Sequence, residues 1–128
     1  MNIVDENVAD EECAWLSKRR IHVQKIGKGV GREGMGDEEI IPLLHQLDRP
    51  TFFTLDVDFF KRRLRDEGYC LVFLDVSGHL AAEYVRRILR HPSLNTKAKR
   101  LGLVIHAEPS GITLWRLRGK TVEHLSWE

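Results

Sequence analysis

The segment Thr51–Phe60, TFFTLDVDFF, constrains this chain more than any other. Phe52 to Leu55 are apolar or β-favouring and predict a short buried strand. Asp56 and Asp58 follow where that strand should end. An ionised Asp is costly to bury unless it is paired or bound to a cation, so packing alone does not explain the two acids. A turn capped by Asp56 or Asp58, leading into the basic segment Lys61–Arg65, is the simpler reading of the pair in isolation. A second apolar strand that ends the same way, Asn2–Val4 before Asp5–Glu6–Asn7, favours a shared site.

The chain has 128 residues, which suits one domain able to bury its own core. That domain spans 1–128, with a core over about 1–107 and a hairpin-rich tail over about 108–128. Cys13 and Cys70 are the only cysteines, and no CxxC spacing suggests zinc or a disulfide framework. The opening MNIVDEN lacks the pattern of a secretory leader, and no apolar run approaches a membrane span. The expectation is a soluble, cytoplasmic protein with no membrane partner. Charge is unevenly placed: acids outnumber bases through residue 40, and bases outnumber acids after Asp56. Clusters such as Lys61–Arg62–Arg63–Arg65, Arg86–Arg87–Arg90 and Lys97–Lys99–Arg100 would offer a polyanion positive potential. Taken singly, each is also an ordinary solvated face.

Strand and helix signals alternate. A helix is expected over Val8–Arg20, with Asp10, Glu11 and Glu12 at the positive end of its macrodipole. Ile21–Ile26 alternates as a strand, and the glycine-rich Gly27–Gly36 reads as a flexible connector without a phosphate-loop pattern. Asp37–Leu47 is a second helix with Asp37 as N-cap and Ile40, Leu43, Leu44 and Leu47 on one side, kinked or made irregular by Pro42. Cys70–Val76 is a near-continuous apolar strand. A helix over His79–Arg90 follows, with Leu80, Tyr84, Val85, Ile88 and Leu89 inward. Leu103–His106, Ile112–Leu117 and Val122–Leu125 are strands joined by short turns, hence antiparallel. The fold class is therefore α/β: a mostly parallel sheet covered by helices on both faces, with an antiparallel C-terminal extension.

In such a sheet, sites lie outside the carboxyl ends of the strands. Asp5 and Asp56 both follow strands there, and neighbouring strands about 5 Å apart would bring them together. Asp58 is two residues on, and Asp37 at a helix start can face the same end. Several carboxylates without bases repel one another, and an oxygen-only set suits Mg²⁺ or Mn²⁺.

Three segments then resemble the acidic motifs of the PIN-like nucleases: I-V-D-E-N at 3–7, G-D-E-E-I-I at 36–41 and T-L-D-V-D-F at 54–59. The branch most similar is the small single-domain one described as toxin components of toxin–antitoxin pairs. The resemblance implies a PIN-like fold and a Mg²⁺- or Mn²⁺-dependent endoribonuclease that hydrolyses RNA phosphodiesters. Asp5, Asp37, Asp56 and Asp58 would be its metal-binding and catalytic acids. Glu6 and Glu38 are secondary candidates, and Thr54 could hydrogen-bond an acid from its strand end. Lys61, Arg62 and Arg63 are the expected substrate contacts. An RNA substrate, an antitoxin protein and self-association are the partner expectations.

Asp75 reads as a strand-end residue rather than a ligand. The six histidines have no ligand spacing and are expected to be structural or solvent-facing. Trp15, Trp115 and Trp127 are expected in core or interface positions. Two other readings compete. A receiver-like phosphoacceptor domain also uses an acidic pair after its first strand and an Asp after its third. The Lys expected after a later strand is absent, however, because Leu103–His106 runs into Ala107–Glu108–Pro109. A non-catalytic PIN-like binding module would keep the fold without metal or activity.

Overall fold

The computed structural model describes residues Met1–Glu128. Its strands are β1 (Asn2–Val4), β2 (Gln24–Lys25), β3 (Thr51–Thr54), β4 (Cys70–Leu74), β5 (Val104–Glu108), β6 (Gly111–Trp115) and β7 (Glu123–Leu125). They form one sheet in the order β2-β1-β3-β4-β5-β6-β7. The pairings among the first five are parallel, whereas β5–β6 and β6–β7 are antiparallel. The molecule is thus α/β with a mostly parallel sheet and an antiparallel edge. No helix is long and apolar enough to cross a membrane.

Every residue of β3 and β4 is buried, as expected for continuous apolar strands at the centre of a covered sheet. Alternate side chains feed two cores. Val4, Phe53, Val72 and Ile105 join one with α1 (Asp10–Lys18) and α3 (Ala81–Arg90). Ile3, Phe52, Leu71 and Val104 join the other with α2 (Asp37–Gln46) and the 3-10 turn Val57–Phe59. Helices therefore cover both faces. Phe52 meets Phe59 edge-on at 5.2 Å, which folds the chain after β3 back over the sheet.

Several local expectations are corrected. The first helix starts at Asp10, not Val8, and Val8 is instead a buried core residue. The strand expected over Ile21–Ile26 shrinks to Gln24–Lys25, because its partner β1 has only three residues to pair with at this edge. Ile21 and Val23 still pack on the core. The glycine-rich connector is tied by a bridge between Ile26 and Val30. Asp37 is not the N-cap of α2: Gly36 holds that position, and Asp37 is the first helical residue. Pro42 lies inside α2, where it removes the donor to the Glu38 carbonyl, and the helix runs on to Gln46.

The helix expected from His79 begins as a 3-10 turn, Gly78–Leu80, and α3 starts at Ala81. Leu80, expected inward, is exposed as a result. The Glu12 side chain of α1 accepts from the Ala82 backbone N–H at 2.9 Å, which satisfies one orphan donor at the start of α3. A fourth helix, α4 (Lys97–Arg100), leads into β5 and carries Arg100 into the protein. Arg100 donates to Thr51 Oγ1 and to the Leu94 carbonyl at the amino end of the sheet. In the tail, β6 ends at Trp115 and β7 begins at Glu123, each shorter than expected. Trp127 packs against Tyr84 and donates to the Glu108 carbonyl at 2.7 Å.

Candidate metal centre

The acids after β1 and β3 meet because these strands are parallel neighbours. The register pairs Val4 with Phe53, so Asp5 and Thr54 come next and lie side by side. Asp5 is 8 % exposed, and both of its oxygens are engaged. Oδ1 accepts from the Glu6 N–H at 2.8 Å, and Oδ2 accepts from the fully buried Thr54 hydroxyl at 2.6 Å. The same hydroxyl accepts from the Asp56 N–H at 3.0 Å. Thr54 therefore joins the ends of both strands.

Asp56 has two roles. Its side chain accepts from the Asp58 N–H at 2.9 Å and caps the 3-10 turn Val57–Phe59, as the simpler reading expected. It also stands in a group with Asp37 and Asp58 whose carboxylate oxygens lie within 4.8 Å of one another. Capping and clustering are compatible, since one Asp56 oxygen takes the N–H and the other stays free for a cation. Asp5 lies beside this trio rather than in it, close enough for the Asp56 charge to act on it.

The charges leave a trace on proton affinity. Burial pushes the Asp5 carboxyl above its usual range, the Thr54 and Glu6 hydrogen bonds pull it back, and the Asp56 and Glu6 charges push it further up. Asp37 is raised as well, first by partial burial, then by the charges of Asp56, Asp58, Asp5 and Glu38. Like-charged groups converge here with no guanidinium or imidazole among them. The donor set is all carboxylate oxygen and is open to solvent, which fits a hard divalent cation.

The neighbouring cleft has a volume of about 540 Å³ and is lined by Asp37, Glu38, Asp58, Lys61 and Arg63, among others. Lys61 lies 3.9 Å from Asp58. Arg62 turns away, with its guanidinium 5.0 Å from the Trp115 ring. Arg65 bonds the Arg116 and Gly119 carbonyls, so the basic segment runs from the acids across the sheet to the tail. Glu6 is held by the Gly34 N–H at 2.9 Å and so fixes the glycine-rich connector rather than facing the trio freely. A larger concavity, about 840 Å³, lies near Leu103 and Arg116 at the opposite end of the sheet and contains no carboxylate.

A second donor group escaped the sequence reading. Asp75, His106 and Glu108 also bring their ligand atoms within 4.8 Å of one another. The spacing His106-x-Glu108 on a strand was the available signal, since it puts both side chains on one face. No protein-family model, curated protein or solved structure matches the chain.

Proposed function

We propose that this protein is a PIN-like, metal-dependent endoribonuclease that hydrolyses RNA phosphodiesters. The observation that carries the proposal is the convergence of Asp37, Asp56 and Asp58 within 4.8 Å beside Asp5, at the carboxyl end of a parallel sheet. Asp37, Asp56 and Asp58 would hold Mg²⁺ or Mn²⁺, and Asp5 would complete the negative field around it. Such a bound ion supplies activated water and charge stabilisation for in-line displacement at phosphorus.

The chain's own residues explain the rest. Thr54 fixes the ends of β1 and β3 relative to each other, so the acids keep their spacing. Lys61 and Arg63 at the cleft would meet backbone phosphates, which the acids alone would repel. Water attack would leave 5′-phosphate and 3′-hydroxyl ends. The same reading places the protein in the cytoplasm and makes an antitoxin protein its regulatory partner.

The test is an RNA cleavage assay with end mapping, in Mg²⁺, Mn²⁺ and EDTA, with Asp56→Asn as control. Metal-dependent cleavage that the variant lacks supports the proposal. Cleavage of DNA only, or cleavage unchanged in EDTA, overturns it.

A second reading has one observation in its favour. The order β2-β1-β3-β4-β5 is that of receiver-like doubly wound domains, with Asp5, Glu6 and Asp56 at the matching strand ends. It lacks a Lys at the end of β5, where Glu108 is the last strand residue and Pro109 follows. Incubation with acetyl phosphate separates the two: stable phosphorylation at Asp56 would favour the receiver.

A further inference from the structure

Two strands distant in sequence bring side chains of mixed donor chemistry together on the other half of the carboxyl edge. Asp75 follows β4, while His106 and Glu108 lie two residues apart on β5. The register pairs Phe73 with His106 and Leu74 with Ala107, which sets Asp75 beside Glu108. His106 Nε2 lies 3.0 Å from Asp75 Oδ2 and 3.5 Å from Glu108 Oε2. The shorter contact is a His106–Asp75 hydrogen bond, and one ring nitrogen with a single hydrogen leaves Glu108 Oε2 at 3.5 Å only a weak share of it. A cation accepts all three donors at once.

The donors are also held in place. The imidazole stacks on Phe73 at 5.0 Å and 23°, and Phe60 stands 5.1 Å away. Ser110 donates to Glu108 Oε1 at 2.7 Å, which leaves Oε2 turned to the histidine. The Asp75 N–H bonds the Ala107 carbonyl at 2.8 Å and fixes the end of β4. These contacts orient the ligands from behind, as outer partners do in metal sites.

We propose that Asp75, His106 and Glu108 form a second cation site that takes a divalent transition ion of the zinc class. The imidazole disfavours Mg²⁺, and three protein ligands leave a position open to water or an anion. His106 and Thr54 are two strands apart in register, roughly 10 Å, so this site is separate from the aspartate trio. The proposal does not depend on the nuclease reading.

The probe is Zn²⁺ alone, added to the chelator-stripped full chain, with the ¹⁵N resonances of the histidine rings as readout. The His106 signals are assigned by their loss in His106→Gln. One equivalent of Zn²⁺ is expected to move the His106 Nε2 resonance strongly, and excess Mg²⁺ to leave it moved. The response should persist in Asp56→Asn, and Glu108→Gln should weaken Zn²⁺ binding by about tenfold or more. Glu108→Gln carries the test if His106→Gln does not fold. An unmoved His106 resonance overturns the proposal. So does reversal by Mg²⁺, unweakened binding in Glu108→Gln, or loss of the response in Asp56→Asn.

Discussion

The two donor groups share one edge of one sheet but differ in what stands against their negative charge. Asp37, Asp56 and Asp58 face one another with no base among them, and their nearest cation, Lys61, is 3.9 Å from Asp58. Asp75 and Glu108 instead flank an imidazole at 3.0 and 3.5 Å. The first group is an incomplete charge arrangement: burial first, and the neighbouring carboxylate charges after it, raise the proton affinity of Asp5 and Asp37. The second is assembled around its own nitrogen. A shared position on an α/β sheet therefore does not fix a shared ligand, since the donor types decide which cation suits each half.

The largest expected effect is on activity. Asp56→Asn should lower RNA cleavage by about 100-fold or more, measured as initial rate in Mn²⁺. It should also lose most of the rise in melting temperature that Mn²⁺ gives the parent, because only a native-state site converts binding into stability. An equal metal response in parent and variant would remove Asp56 from the ligand set. His106→Gln should leave both readouts near parental, and a comparable loss there would merge the two groups into one.

Stability comes next. Thr54→Val removes the buried hydroxyl shared by Asp5 and the Asp56 N–H, and should cost about 1–3 kcal/mol in denaturant unfolding. The second group has no such joint. His106→Gln in chelator should cost less than about 1 kcal/mol, because its partners are half exposed. If the two variants ranked the other way, the contrast between a buried joint and an open cluster would fail.

The smallest effect concerns pH. The folded-state affinity of Asp37 for its proton is raised above the unfolded value of 3.8. Its contribution to stability is therefore fully present below 3.8 and is lost as pH rises through the raised folded value. In chelator, Asp37→Asn should gain stability relative to the parent over that rise, read as the difference between their melting curves. A difference that stays flat, or that changes the opposite way, would show that the trio does not repel.

Central elements were legible because burial writes itself into composition. Phe52–Leu55 and Cys70–Val76 are mostly apolar, broken only by Thr54 and Asp75, and β3 and β4 are buried on both faces. Edge elements were not: β2 keeps only Gln24 and Lys25 because pairing length, not alternation, limits it. The aspartates were legible as strand ends, but the helix-capping role given to Asp37 belongs to Gly36. In the sequence Asp75 reads only as a strand end and His106 only as an ordinary histidine. Their meeting depends on the β4–β5 register, a long-range pairing that no local spacing reveals. Leu80 followed the helical period of its neighbours, yet a 3-10 turn rotates it out to solvent.

The hydroxyl of Thr54 has only one hydrogen, and the geometry dictates its direction. The Asp56 N–H must donate to it, so its own hydrogen must point to Asp5. That hydrogen is shut away from solvent at the base of the site, on a fully buried side chain. Such a proton exchanges slowly with water and gives its own line in a proton spectrum. It would serve as a native, label-free gauge of the field at the strand ends, shifting when a cation settles among the aspartates and leaving the rest of the spectrum as reference.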